Sequence, residues 1–458
     1  AAVLPQRGLL ARAAEVHRWL ARQGGGGLDA TAALLALDEF DEARAAGVSA
    51  TGGLPGLRDS AAALVAQGLL ASVDGAAGTA LSLLVRAATA LAAAGEPEPA
   101  GDSPAALGAL LALHRGEPEL ADPLLDLAVD ADLGGPALRR RHLLLRAFSA
   151  MMRDDEQAAR AALAAAQALP GALEPRDELV AVAGEVALAR RAGDTRRLLE
   201  LWARARQALL RHPVDLYCLL PVGELAVAAA RLGEGRWVEP HLAEATSLLA
   251  SLGDPASWGT SWHWAGLHAA ITAEDPDAAA AHAAALDAAA AVNDRAVAPA
   301  HAARVWLAVL DGRIDVDLML DAASALRAVG LAWDGARLAG EAAIRTTDRA
   351  DSATLLACAR TLQAARTPVA PAPVPVPDDA ARATATTVAR RSAAGLTERE
   401  HDIAELVLEG LTYREIASRL FLSTKTVEHH VSRIRRRLGS ESRAELFSEL
   451  KVLVACEH

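Results

Sequence analysis

One predicted helix near the C-terminus carries the side chains best suited to chemistry. Steps of mostly three or four residues separate its polar side chains, which are Lys425, His429, Ser432, Arg433 and Arg436. At about 100° per residue, this spacing places them on one face of the helix. Cations bind phosphate oxygens, and the shorter polar groups can reach base edges in a major groove. The pattern favours a nucleic-acid contact face over the alternative, a solvated basic surface on a small bundle.

The opposite face of the same helix is apolar. Its stripe consists of Val427, Val431, Ile434 and Leu438, at steps of four, three and four residues. A stripe of this kind packs against neighbouring helices. Arg435 and Arg437 widen the cationic band on the other side, and Arg443 begins a further helix.

Two shorter helices precede this one and must position it. Thr397 and Thr412 each precede a glutamate by three residues, which is the spacing of a capping box at a helix start. Gly410 ends the first of these helices, and Ser423 caps the third. The side chains predicted to face inward are Ile403, Leu406, Val407, Ile416, Ala417 and Leu420. Three capped helices at such close spacing predict a helix-turn-helix.

The same segment resembles the C-terminal DNA-binding domain of LuxR/FixJ-type (GerE-like) bacterial transcription regulators. The family pattern runs L-T-x-R-E, then G-x-S/T-x-x-E-I-A, then L-x-S/T-x-x-T-V-x-x-H, and ends in a basic stretch with L-G and a further R. The matching residues are Leu396, Thr397, Arg399, Glu400, Gly410, Thr412, Glu415, Ile416, Ala417, Leu422, Ser423, Thr426, Val427, His430, Arg437, Leu438, Gly439 and Arg443. The resemblance implies a four-helix head that binds DNA.

Roles for individual residues follow from the resemblance and the basic helix face together. The recognition helix would begin near Thr424, and residues 442 to about 454 would form a homodimer. Contacts with double-stranded DNA are assigned to Thr412, Arg414, Ser423, Lys425, Thr426, Glu428, His429, Ser432, Arg433, Arg436, Arg437 and Arg443. The family often has Lys or Arg where this chain has Glu428. A carboxylate there can accept from cytosine but repels phosphate, which predicts an unusual target sequence.

Charge and cysteine content are typical of a two-part cytoplasmic protein. The net charge is −12 over 458 residues; the part before residue 391 holds essentially all of it, whereas the excess between residues 410 and 443 is positive. A basic patch on an acidic protein directs nucleic acid to that patch. Cys218, Cys358 and Cys456 form neither a metal spacing nor a disulfide framework, which fits a reducing compartment. Charges interrupt the Ala-rich stretches every few residues, so we expect no membrane span.

Residues 1 to about 366 have the composition of helix almost throughout, and turn-like breaks recur at roughly 36 to 42 residues. The breaks are Leu37-Asp38-Glu39, Val73-Asp74-Gly75, Arg115-Gly116-Glu117, Arg153-Asp154-Asp155, Ala192-Gly193-Asp194, Leu232-Gly233-Glu234, Ala273-Glu274-Asp275, Leu310-Asp311-Gly312 and Thr347-Asp348-Arg349. A small-residue helix such as residues 156–163 follows most of them, which resembles the second helix of a tetratricopeptide hairpin. We predict an all-α protein: a degenerate tetratricopeptide-like helical-repeat solenoid with a concave surface, followed by the four-helix LuxR-type helix-turn-helix domain.

Tryptophans concentrate in the second half of these repeats. They include Trp258, Trp262, Trp264, Trp306 and Trp333. Their large side chains either fill gaps in an Ala-rich core or line a pocket for an aromatic ligand or peptide on the concave face. His263 and His268 lie beside the first three, but five residues is a poor helical spacing for a shared metal ion.

A proline-rich segment separates the repeats from the head. Alternating prolines between residues 368 and 377 predict an extended, polyproline-like spacer of about 3.1 Å per residue. The predicted organisation is therefore a sensor or docking domain at residues 1–366, a Pro-rich linker at 367–394 and a helix-turn-helix domain at 395–458.

The chain also resembles the C-terminal part of large ATP-dependent LuxR-type regulators, in which a nucleotide-binding domain precedes helical repeats. A P-loop requires a lysine, but Lys425 and Lys451 are the lysines of this chain and both lie in the head. The chain begins with Ala rather than Met, so it could be the C-terminal portion of such a regulator. We expect no enzymatic activity, no cofactor and no metal site.

These patterns predict a bacterial, cytoplasmic, sequence-specific DNA-binding transcription regulator. RNA polymerase, another protein or a small-molecule effector are the expected partners of the repeats. Two alternatives stay open: a helical-repeat scaffold for protein partners with a weakly binding head, and the C-terminal fragment of an ATP-dependent regulator. A promoter element of the sigma-factor type is disfavoured, because nothing upstream has the basic, aromatic helix expected for melting DNA.

Overall fold

The computed structural model describes residues 4–7, 9–22, 27–37, 39–48, 56–94 and 101–364, and seven positions of the head. Those seven are Ile403, Ala404, Leu406, Val407, Ile416, Val427 and Val431. The chain divides into two compact units, Ala1–Pro368 and Val369–His458. The domain and linker boundaries proposed from the sequence stay predictions.

The described residues of the first unit form nineteen α-helices. They are α1 (Leu10–Arg22), α2 (Gly27–Ala36), α3 (Phe40–Val48), α4 (Leu57–Val73), α5 (Ala77–Ala94), α6 (Pro104–His114), α7 (Pro118–Asp130), α8 (Gly135–Met152), α9 (Glu156–Ala168), α10 (Pro175–Ala192), α11 (Thr195–Arg211), α12 (Leu219–Leu232), α13 (Gly235–Ser251), α14 (Ala256–Ala273), α15 (Pro276–Ala290), α16 (Val297–Leu310), α17 (Val316–Ala328), α18 (Ala332–Arg345) and α19 (Arg349–Ala364). Short 3-10 helices span Pro5–Arg7, Leu216–Cys218 and Asp294–Ala296. No strand occurs among the described residues, and the predicted all-α class is confirmed.

Neighbouring helices pack in pairs as helical hairpins, from α4 with α5 to α18 with α19. Each of the nine breaks predicted from the sequence falls at a junction between two consecutive helices. The helical-repeat organisation therefore follows the turn residues that the sequence displays.

Three of these turns share one local mechanism. Asp154, Gly193 and Glu274 adopt left-handed backbone, with φ of 57°, 75° and 57°, which ends the preceding helix. The next residue is an aspartate in each turn, and its carboxylate accepts from the backbone N–H three residues on, at 2.9, 2.8 and 3.0 Å. Two adjacent residues therefore stop one helix and cap the next.

The inner helices close into a ring instead of lining an open groove. The first helices of five successive hairpins, α6, α8, α10, α12 and α14, pack side by side, and α14 returns to contact both α6 and α4. Small residues permit this close approach: a Cβ at Gly223 of α12 would lie 2.9 Å from the Cβ of Ala265 in α14. The sequence predicted a solenoid with a concave surface; in this part of the chain α14 packs on α4 and α6 and closes the inner face.

Trp258 of α14 lies at the point of closure and is fully buried, with 0% exposure. Its Nε1–H donates to Ser72 Oγ of α4 at 2.9 Å. Its ring centre lies 5.0 Å from that of His114 and 5.9 Å from that of Tyr217. The Tyr217 hydroxyl in turn donates to the carbonyl oxygen of Ala32 at 2.9 Å. One indole thus joins helices that are far apart in the sequence.

Among the described residues, α5 is long and apolar enough to cross a membrane by length and composition alone. It packs against α4, α6 and α7 and buries Ala80, Leu84 and Ala87. A core helix of a folded domain produces the same pattern, so α5 is weak evidence for a membrane span.

The closure predicts an unusually large contribution of Trp258 to stability. We expect Trp258→Ala to lower the free energy of unfolding by about 3–5 kcal/mol, because it leaves a cavity and removes the hydrogen bond to Ser72. Urea unfolding followed by circular dichroism measures the effect. Trp19→Ala is the matched control, because Trp19 is 55% exposed, and it should change stability by at most about 0.5 kcal/mol. Equal unfolding midpoints for both variants would contradict the closure.

Candidate functional sites

The seven described residues of the head are all helical and buried, with side-chain exposure of at most 8%. They include inward positions predicted from the sequence on all three helices, which are Ile403, Leu406, Val407, Ile416, Val427 and Val431. Ala417, Leu420, Ile434 and Leu438, also predicted to be internal, lie outside the described residues. The described positions agree with a small helical core.

The predicted DNA contacts lie outside the residues that the structure describes. This holds for every one of them, from Thr412 and Arg414 through the basic face to Arg443. Their assignment to phosphates or bases therefore stays a prediction.

A cavity of about 120 Å³ lies inside the repeat unit, where the ring helices meet. Its wall includes Leu113 of α6, Met151 of α8, Arg190 of α10, Val227 of α12 and Trp264 of α14. The loop between α17 and α18 contributes a further part of the wall. Most of the lining is apolar, and a few polar groups converge on it, which is the composition of small-molecule sites.

Two adjacent arginines bring charge into this apolar wall. Arg190 donates from Nη2 to Glu224 Oε2 at 2.6 Å. Arg191 donates from Nη1 to the carbonyl oxygen of Met151 at 2.6 Å, and its Nη2 lies 3.9 Å from Glu224 Oε1. Burial alone would raise the pKa of Glu224, but the charges of Arg190 and Arg191 hold this pKa below its ordinary value. The three groups therefore form an ionised cluster at the cavity.

Trp333 of α18 covers the two arginines. Their guanidinium carbons lie 5.1 Å (Arg190) and 5.7 Å (Arg191) from the centre of its ring, within the range of cation–π contacts. The backbone N–H of Trp333 donates to Asp154 Oδ2 at 3.0 Å. These contacts fasten α18 to the turn between α8 and α9, and so complete the cavity.

His268 lies in the same wall, between a carboxylate and a third arginine. Its Nε2 is 3.1 Å from Asp334 Oδ1, and Arg337 Nη1 is 2.9 Å from its Nδ1. A guanidinium can only donate, so Nδ1 accepts and the ring proton lies on Nε2, toward Asp334. Burial lowers the pKa of His268 by more than the hydrogen bond and charge of Asp334 raise it, and the charge of Arg337 lowers it further. The imidazole is therefore neutral.

The interpretation that tryptophans fill the core fits three of them, and the interpretation that they line a ligand pocket stays a prediction. Trp258, Trp262 and Trp306 are buried in the core, at 0%, 4% and 1% exposure. Trp264 lines the cavity, whereas Trp333 stacks against its arginines.

His263 does not approach His268 as a ligand partner; its Nδ1 lies 3.1 Å from Nδ1 of His282 on α15. Burial lowers the pKa of both of these histidines to about 4, so both rings are neutral near pH 7.

Sequence reasoning missed the buried charges, although the sequence contains a signal for two of them. On α10 the buried Leu179, Ala183 and Val186 recur with the helical period, and Arg190 continues the same stripe. A charge on an apolar stripe indicates a buried ionic site. The same signal marks Asp334 on α18, because the buried Leu338 and Ala342 follow it at steps of four residues.

A second buried ionic network connects three of the ring helices, α6, α8 and α10. Arg141 Nε and Arg176 Nη1 lie 3.4 and 3.1 Å from the same oxygen of Asp102. Beside them, the Ser103 hydroxyl is 2.7 Å from His142 Nε2, and burial lowers the pKa of His142 to about 4. These contacts link the starts of α6 and α10 to the middle of α8, so the network serves packing.

One group of described side chains has metal-ligand chemistry: His212, Asp215 and Cys218, whose ligand atoms lie within 4.8 Å of one another. His212 Nε2 is 2.9 Å from Asp215 Oδ2, and the Cys218 thiol is 3.2 Å from the Asp215 carbonyl oxygen. Burial raises the pKa of Cys218 well above its ordinary value, which disfavours the thiolate that a metal needs. These contacts fit a locked turn between α11 and α12 better than a metal site.

Comparison with known proteins relates the head to one family. Residues 394–450 match the model of the bacterial regulatory proteins of the luxR family. The spore germination protein GerE of Bacillus subtilis is 44% identical over 55 residues, which are 12% of this chain and 74% of GerE. The DNA-binding transcriptional activator DevR/DosR of Mycobacterium tuberculosis is 47% identical over 51 residues, 11% of this chain and 24% of that protein. The oxygen regulatory protein NreC of Staphylococcus aureus is 45% identical over 51 residues, again 11% of this chain and 24% of the relative.

The chain thus covers most of the length of GerE but 24% of the length of DevR/DosR and NreC. The matched segment contains every residue to which DNA contacts were assigned, between Thr412 and Arg443. Its motifs, their order and the buried positions of its helices agree with one another. The chain therefore belongs to the luxR family of bacterial regulatory proteins, which are DNA-binding transcription regulators.

Proposed function

We propose that this protein is a sequence-specific transcription regulator whose head reads the major groove of DNA. The match over residues 394–450 carries the proposal, because it contains the whole predicted basic face. The burial of Val427 and Val431 supports the orientation of the recognition helix. These valines are about one turn apart, so the face they share is opposite to residue 429 at about 100° per residue.

Within the head, we assign separate roles to positioning and to sequence readout. Lys425, Arg433 and Arg436 would bind phosphates, while His429 and Ser432 would reach base edges. The remaining contacts are assigned to Thr412, Arg414, Ser423, Thr426, Glu428, Arg437 and Arg443. Since Glu428 repels phosphate, its contact would be with a cytosine amino group.

Two heads would bind one operator. A single head touches few base pairs, so useful specificity requires two copies on one duplex. The C-terminal helix offers apolar positions for packing and for a partner, which are Ala444, Phe447, Leu450, Val452 and Val454. A homodimer through this helix has a two-fold axis and would favour an inverted-repeat operator.

The repeat unit, residues 1–366 by the predicted boundaries, would sense an effector or partner in the cytoplasm. The apolar cavity with its converging charges supports this role, because enclosed sites of this composition suit small ligands. The linker at residues 367–394 would connect this sensor to the head, and RNA polymerase is a candidate partner of the assembled protein.

DNA binding should be strong at low salt and fall steeply as salt rises. For four to six phosphate contacts per head, we expect log affinity to fall with log salt at a slope of about −4 to −5. Gel shifts with the full chain and with residues 390–458, on genomic fragments, measure this slope. A flat response would contradict the phosphate contacts. If the full chain shifts no fragment, the alternative of a protein scaffold with a weak head is favoured instead.

Two pairs of variants should distinguish the phosphate contacts, which position the head, from the base contacts, which read the sequence. Lys425→Ala and Arg436→Ala should weaken binding to all sequences alike, because phosphate contacts carry no base information. His429→Ala and Ser432→Ala should instead change the preference among operators, by about 1–3 kcal/mol per lost base contact. Binding assays on randomised operators show the difference. If His429→Ala weakens every sequence equally, the assumed orientation of the helix is wrong.

Cooperative binding should depend on the C-terminal helix. Val452→Glu places a charge at an apolar position and should abolish cooperativity while each head stays folded. Footprinting should show half-sites about 10–10.5 bp apart for the unmodified protein. Val452→Ala serves as the control, since it adds no charge. If Val452→Glu still protects both half-sites cooperatively, the dimer forms elsewhere, for example through the repeats.

A further inference from the structure

The cavity in the repeat unit has room for a small apolar group. Its volume is about 120 Å³, and an apolar cavity of about 150 Å³ in another protein holds one benzene molecule. Phe148, Met151 and Trp264 are among the side chains that line it. Aromatic and thioether walls favour a flat ring or a short branched chain over a strongly hydrated molecule.

Two donor groups on the charged side of the cavity have no acceptor. Arg190 and Arg191 both line it, and they share the carboxylate of Glu224. The Nε–H groups of both arginines are buried and have no hydrogen-bond acceptor. A buried donor without an acceptor is costly, so an additional acceptor near this pair would stabilise the protein.

Carboxylates balance much of the charge of these arginines: Glu224 and Asp334 line the cavity, and Asp154 Oδ1 lies 3.5 Å from Arg191 Nη1. Burial lowers the pKa of Arg337 to about 10, and the nearby charge of Arg190 is the next contribution. His268, beside Arg337, is neutral and adds no positive charge of its own. An anion beside Arg190 would therefore bind through the two buried Nε–H groups that have no acceptor.

We propose that this cavity binds a small carboxylic acid, with its carboxylate beside Arg190 and Arg191 and its apolar ring or branched chain against Phe148, Met151 and Trp264. Arginine is suited to a carboxylate, since its planar fork can make two parallel hydrogen bonds. The assignment rests on the proposed role of the repeat unit as the sensor, and it names the class of effector.

The cavity exists only when the repeat unit is complete. Val329 and Leu331 close one side, and they belong to the loop before α18. Trp333 holds that helix against Arg190, and Asp154 accepts the backbone N–H of Trp333. A bound acid would therefore add contacts between the ring helices and the last two described hairpins.

Calorimetry with the full chain tests the proposal through four probe compounds. Benzoate and isovalerate should bind saturably at one site per chain. Benzamide has the ring without the charge, and acetate has the charge without the apolar part; each should bind at least about tenfold more weakly, as expected for a lost charged hydrogen bond or a lost apolar contact. The proposal is overturned if neither acid binds saturably, or if benzamide binds as well as benzoate.

Variants locate the site. Arg190→Met removes the guanidinium, keeps an unbranched side chain and should weaken benzoate binding at least about tenfold. Arg160→Met is the control, because Arg160 pairs with Glu156 on the surface of α9. Arg190→Met removes the shorter of the two arginine contacts of the buried Glu224 and is expected to destabilise the fold. Val329→Phe therefore provides a second test: it fills the cavity from a loop and should also abolish binding.

Unchanged benzoate affinity in folded Val329→Phe would place the ligand elsewhere and overturn the assignment. Gel shifts on the same preparations separate this inference from the function of the head. If the unmodified chain binds benzoate but no DNA, the proposed regulator function is contradicted and the cavity proposal stands. If it binds DNA but no benzoate, the cavity proposal is contradicted and the regulator function stands.

Discussion

The closed arrangement of the repeat unit depends on the contacts of the Trp258 indole. Helical hairpins placed end to end would curve around an open axis, and their inner faces would stay in water. Here the axis is filled by an indole that donates to Ser72 on α4 and packs on His114 of α6. His114 is buried with it, and burial lowers the pKa of His114 to about 3. A neutral imidazole is the form that such a core tolerates.

The sequence predicted the helices of the repeat unit and the junctions between them, but not the closure of the inner helices into a ring. Helix junctions depend on local chemistry, such as the left-handed Gly193 followed by the capping Asp194, and this chemistry is visible in a single sequence. The contact between Trp258 and Ser72 joins residues that are 186 positions apart, and no local pattern contains it. The closure of the inner face was not predicted for that reason.

Of the two candidate sites, the sequence predicted the basic face of the head but not the cavity in the repeat unit. The basic face of the head was predicted because its charges recur with the helical period opposite an apolar stripe, and Val427 and Val431 of that stripe are buried. The cavity was missed because its charges come from helices that meet only in the fold, with Arg190 from α10, Glu224 from α12 and Asp334 from α18. Ring closure creates this site, since it brings α14 within reach of the turn at the end of α6.

The ring also constrains how the chain can fold. Open repeat arrays fold by nearest-neighbour steps, and each new hairpin covers the previous one. Every residue of α6 is buried in this protein, and part of its cover comes from α14. At about 5–20 residues per second, a ribosome needs about 10–40 s to complete the stretch that separates Ser72 from Trp258. During this interval the apolar face of α6 lacks the cover that α14 provides in the finished ring.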